Sequence, residues 1–118
     1  MWKRISIFVV GFSLVSFLVF AGNGQNPTIY NLTLTNLNTE YSQVITPGVK
    51  KITVQCRTTF DVRLAFETGK VATSTDPYLT IKKGNVYWED DLDTKLTTTT
   101  LYLASSEAGV VIEIVVWR

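Results

Sequence analysis

After residue 27 the apolar positions of this chain recur with a period of two. Between Val49 and Arg57, Ile52, Val54 and Cys56 fall on one side of an extended segment, and Val49, Lys51, Thr53, Gln55 and Arg57 fall on the other. That spacing is what a half-buried strand requires. After a four-residue link, Val62, Leu64 and Phe66 face one way while Arg63, Ala65 and Glu67 face the other. The two segments are predicted as a pair of strands that lays an apolar face on a partner sheet and leaves a charged face in water. No helical period fits either segment.

The rest of the chain reads as short strands divided by turn residues. Thr28 to Leu37 predicts a first strand in which Tyr30, Leu32 and Leu34 alternate with Ile29, Asn31, Thr33 and Thr35, and Tyr41 to Thr46 predicts a second. Pro47-Gly48 supplies the fixed φ and the permissive φ of a type II turn. Thr73 to Pro77 is a polar loop, Tyr78 to Lys82 a strand with Leu79 and Ile81 inward, and Lys83-Gly84-Asn85 a further turn. Val86 to Trp88 predicts a strand, Glu89 to Thr94 an acidic loop, and Leu101 and Leu103 another strand. The last strand, Val110 to Trp117, is apolar on both faces, the mark of a central or doubly covered strand. If Val110, Ile112, Ile114 and Val116 point inward, then Val111, Val115 and Trp117 point outward, with Glu113 the only charge among them. About eight such strands imply an all-β fold, a single small antiparallel β-sandwich or barrel spanning residues 22–118.

Residues 1–21 have a different character. Lys3 and Arg4 precede an uncharged run from Ile5 to Ala21 that ends Val19-Phe20-Ala21, the layout of a secretory signal with a small-residue cleavage site. The seventeen residues from Ile5 to Ala21 also reach the lower end of the roughly 17 to 25 needed to span a bilayer. A cleaved signal peptide and an uncleaved anchor through residues 5–21 are both open. The positive-inside tendency puts the β domain outside the cytoplasm in either case.

Composition narrows the chemistry. The 118 residues contain no histidine and one cysteine, which excludes imidazole or thiolate metal clusters, the usual nucleophile and base pairs, and an internal disulfide. The formal charge is +1; without Lys3 and Arg4, nine basic residues face ten acidic ones, a net of −1. Nucleic acid has no electrostatic reason to bind such a surface.

The densest polar cluster is Glu89-Asp90-Asp91-Leu92-Asp93. Carboxylates of this kind ligate Ca²⁺, but the glycine and the distal bidentate glutamate of an EF-hand loop are missing, so a solvated acidic turn is expected and no cofactor is assigned. Adjacent loop carboxylates also lack the separate environments that glycosidase acid and base need. Cys56 alternates with Ile52 and Val54 and is expected to be an inert core residue, an intermolecular disulfide being the other reading. Asn31-Leu32-Thr33 matches the N-glycosylation acceptor, which matters only on a eukaryotic secretory route. Tyr87, Trp88 and Trp117 are the aromatic candidates for recognition. Val86 and Trp88 share one face and Tyr87 takes the other, so Trp88 is read equally as core or surface. With Val111 and Val115, these aromatics form the candidate interface for self-association or a protein partner.

Several ordered segments carry a resemblance: Asn38 to Gln43 (NTEYSQ), Asp61 to Phe66 (DVRLAF), Tyr87 to Asp90 (YWED), Leu101 to Ser105 (LYLAS) and Ala108 to Ile114 (AGVVIEI). Together they are similar to small β-sandwich proteins encoded among the virion structural genes of tailed bacteriophages, over roughly residues 38–117. The resemblance implies a jelly-roll-like sandwich and a non-enzymatic structural or decoration role on a phage or prophage particle. The leader and the extended Asp91-Leu92-Asp93 loop depart from that pattern. The leader favours an exported or membrane-anchored bacterial binding module of the same fold. An enzyme is the third reading, and no nucleophile and base pair supports it.

Overall fold

The computed structural model describes residues 26–92, 94 and 96–118. The expected leader over residues 1–21, residues 22–25 and Asp93 of the acidic cluster lie outside the described residues. Eight strands follow one another: β1 (Thr28–Leu34), β2 (Tyr41–Ile45), β3 (Lys51–Cys56), β4 (Val62–Ala65), β5 (Leu79–Ile81), β6 (Val86–Glu89), β7 (Thr99–Ala104) and β8 (Val110–Trp117). They form two four-stranded sheets, ordered β1-β8-β3-β6 and β2-β7-β4-β5. Every strand pair is antiparallel.

The alternation of β8 becomes the axis of the core. Val110, Ile112, Ile114 and Val116 are buried, while Val111, Glu113, Val115 and Trp117 are half-buried on the other face. Facing them across the gap are Val62 and Leu64 of β4 and Leu101 and Leu103 of β7, all within one apolar cluster that draws on both sheets. Each fully buried aliphatic side chain of this kind contributes roughly 1.5–3 kcal/mol of transfer free energy. β8 lies between β1 and β3, so its backbone groups are paired on both edges.

The expectation that β3 and β4 pair is overturned. β3 lies between β8 and β6, and β4 lies between β7 and β5 in the opposite sheet. The link after Cys56 crosses the sandwich, and Arg57 N–H still donates to the Val111 carbonyl at 2.9 Å, extending the β3–β8 ladder. A period of two states which face is apolar and is satisfied equally whether the two strands lie side by side or face to face.

Phe66 also departs from expectation. β4 ends at Ala65, and Phe66 is 53% exposed instead of joining Val62 and Leu64. Once the ladder stops, the pleat no longer dictates the direction of the next side chain. Ala65 in turn is buried, because Val71 of the following loop packs on it and on Ala104 in a small second cluster. Arg63 holds this loop down: its Nε donates to the Val71 carbonyl at 2.6 Å and an Nη to Asn38 Oδ1 at 2.8 Å. Glu40 takes the near end, accepting from Thr68 Oγ1 at 2.7 Å and Gly69 N–H at 2.8 Å. Cys56 is half-buried against the main core, with Sγ 3.4 Å from Thr58 Oγ1.

The turn between β5 and β6 shows why a glycine stands at residue 84. Asn85 N–H donates to the Lys82 carbonyl at 3.0 Å across the turn, and Gly84 sits at φ +80°. A side chain there would be strained by the left-handed backbone.

Candidate functional site

Cross-strand register assembles most of the expected interface residues on the outer face of the β1-β8-β3-β6 sheet. Thr53 is paired with Trp88 on one side and Val115 on the other, and Val115 is paired with Ile29. One row across the sheet is therefore Trp88, Thr53, Val115, Ile29. Directly paired residues point to the same face, and the next outward positions of β8 are Glu113, opposite Gln55 and Asn31, and Trp117, opposite Lys51. Val111 follows on the far side of Glu113, opposite Thr33.

This face is wet and apolar at once. Trp88 is 57% exposed, Ile29 63% and Val86 46%, and beside them Val111, Val115 and Trp117 are half-buried by their neighbours. Trp88 is thus a surface residue. The Glu113 carboxylate is held on both oxygens, by Gln55 Nε2 at 3.1 Å and by Arg57 Nε at 3.2 Å. An exposed pair of this kind contributes little to stability, about 0–1 kcal/mol, but it neutralises the carboxylate at the middle of the face. The Lys51 ammonium lies 5.0 Å from the centre of the Trp117 ring, within cation–π range.

Tyr87 does not belong to this face. It alternates with Val86 and Trp88 and turns inward, opposite Val54, where it packs against the core. Its hydroxyl donates to Glu89 Oε1 at 3.1 Å. Burial, with the hydrogen bond and the negative charge of Glu89 adding to it, pushes the phenol up to about 12. Glu89, expected in the acidic loop, is the last residue of β6 and is paired with Ile52. The loop that follows is anchored by Leu92, whose N–H donates to the Lys50 carbonyl at 2.9 Å and whose side chain packs on the core. Among the described residues, no three His, Cys, Asp or Glu side chains stand close enough together to hold a metal ion.

Ile29 and Val86 were missed as members of the outer face. The signal for Val86 was present, since it shares a face with Trp88. Ile29 reaches the patch only through the β1–β8 register, which no local pattern encodes.

No protein-family model matches this chain, and no curated protein matches it. Among solved structures it is similar to a de novo designed double-stranded β-helix determined by solution NMR. That likeness has 13% sequence identity and a TM-score of 0.45, over 79% of this chain and 99% of the other.

Proposed function

We propose that the protein is a non-enzymatic structural or accessory module that acts by binding, and that a second copy of the chain docks on the outer face of the β1-β8-β3-β6 sheet. The observation that carries this reading is the row Trp88, Thr53, Val115, Ile29 with Trp117 and Val86 beside it. An exposed apolar patch of this composition gains free energy when a partner covers it. With its single carboxylate paired to Arg57, the face presents a copy of itself with no unbalanced negative charge. In all but one of its connections the chain passes from one sheet to the other, with the orders β1-β8-β3-β6 and β2-β7-β4-β5. This winding supports the jelly-roll reading, a fold used among others by viral capsid proteins and lectins. Fold does not by itself assign function, and the particle role follows from the resemblance of residues 38–117 to phage virion proteins.

A second reading, an exported or membrane-anchored bacterial binding module, is favoured by the uncharged run from Ile5 to Ala21 behind Lys3 and Arg4. Both readings use the same face. Genes for head or tail proteins beside this one support the particle role, and their absence supports the second. The docking itself is tested by changing Val115→Lys together with Trp117→Ser in the chain from residue 22 and measuring mass in solution. The parent is expected to associate and the double variant to be a folded monomer. A parent that stays monomeric at high concentration, or a variant that unfolds instead of dissociating, ends the proposal.

A further inference from the structure

A cavity of about 200 Å³ opens at the end of the sandwich where β6 stops. Ile45, Val49, Ile52 and Leu101 form its walls, so both sheets contribute. Phe66 stands at its rim, 53% exposed, and does not fill it. The cavity is open to solvent at that end and its lining is almost wholly apolar. It falls below the roughly 300–1,000 Å³ of sites for drug-sized ligands and is slightly larger than the roughly 150 Å³ cavity that holds benzene.

The polar side chains that line the cavity are Thr94, Thr99, Tyr87 and Glu89. Thr94 Oγ1 is engaged with Val49, accepting from its N–H at 2.7 Å and donating to its carbonyl at 3.1 Å. The Tyr87 hydroxyl gives its proton to Glu89 Oε1, which leaves lone pairs on the phenol oxygen and on the carboxylate. Glu89 is the one charged residue among the described residues that line the cavity. The Thr99 hydroxyl can donate or accept, so the preference is set by Glu89: it favours a guest that brings donors, and a positive charge makes the bond charge-assisted. An anion would meet the carboxylate with no compensation.

We propose that this cavity binds a small apolar amine, a ring or short chain of about six to nine carbons whose ammonium group meets Glu89 and the Tyr87 oxygen at the mouth. The proposal is independent of the outer face, because Tyr87 and Glu89 lie on the opposite side of β6 from Trp88.

Three probes of matched shape decide it: 2-phenylethylamine, 2-phenylethanol and 3-phenylpropionate. Each is titrated into the full chain held in nanodiscs of zwitterionic lipid, with the methyl signals of Ile45, Ile52, Leu92 and Leu101 followed by NMR. The amine is expected to shift these methyls and to bind about threefold more tightly than the alcohol, the range an ion pair to an exposed carboxylate supplies. The propionate should bind more weakly than either. In Glu89→Gln the preference of amine over alcohol should vanish while the alcohol still binds; taking the ratio within each protein cancels partition into lipid. Thr99→Phe, which fills the cavity from β7, should abolish all three titrations; should it fail to fold, the exposed Glu89→Gln variant decides alone. Equal affinity for amine and alcohol, an unchanged ratio in Glu89→Gln, or no methyl shift with any probe overturns the proposal.

Discussion

Thr94 and Val49, forty-five residues apart, make a closed pair of hydrogen bonds: the Thr94 hydroxyl accepts from the Val49 N–H at 2.7 Å and donates to the Val49 carbonyl at 3.1 Å. The Gly48 N–H adds a bond to the Thr94 carbonyl at 2.7 Å. A side chain here does the work of a neighbouring strand, tying the segment after β6 to the turn before β3. Val49 is 2% exposed, so water cannot replace the hydroxyl if it is lost. Thr94→Val keeps the shape and removes both bonds. It should lower stability by about 1–3 kcal/mol, the range for a buried backbone group left unpaired, read as a fall in the urea midpoint at unchanged slope.

Arg63 should matter through the loop it holds rather than through its charge. Its planar fork reaches the Val71 carbonyl and Asn38 Oδ1 together, which a lysine cannot reproduce. Arg63→Lys and Arg63→Ala are both expected to destabilise, by about 1–3 kcal/mol for the alanine. Faster hydrogen exchange should be confined first to the Thr75 amide, which bonds to the Lys70 carbonyl inside the loop. Equal exchange across all eight strands would mean that the loop and the sandwich open as one.

Two neighbours on β8 should respond very differently. Ile114 is fully buried and Val115 is on the outer face. Ile114→Ala is expected to cost about 2–5 kcal/mol, as large-to-small core changes do, whereas Val115→Ala should cost under about 1 kcal/mol. Thermal melts of the two variants check this, and similar losses would contradict the assigned faces.

The phenol of Tyr87 gives a pH signature. Because it is raised to about 12 in the folded protein from an ordinary value near 10, the folded state holds its proton more tightly than the unfolded chain. Its contribution to stability is therefore fully present below about pH 10 and is lost as the pH rises toward about 12. Ultraviolet titration should show a phenol ionising near pH 12 that is lost in Tyr87→Phe. In Glu89→Gln that phenol should move down toward the ordinary range but not reach it, since burial is the larger cause.

How much of this was legible beforehand follows from the range over which each feature is encoded. The face taken by each residue of β3 and β8 is a local property of the pleat, so the inward set Val110, Ile112, Ile114 and Val116 and the outward set Val111, Val115 and Trp117 could be read from alternation alone. Turn positions are equally local: Pro47-Gly48 and Gly84 declare themselves through φ, and Gly48 sits at +92°. Partner choice is different in kind, because either edge of a strand offers the same N–H and C=O groups to any neighbour. Only the tertiary structure could place β3 and β4 in opposite sheets, bring Ile29 beside Val115, cover Ala65 with Val71, and leave Phe66 at the rim of a cavity. The same long-range register set Tyr87 and Glu89 at the mouth of that cavity and left Trp88 in water on the other side of a four-residue strand.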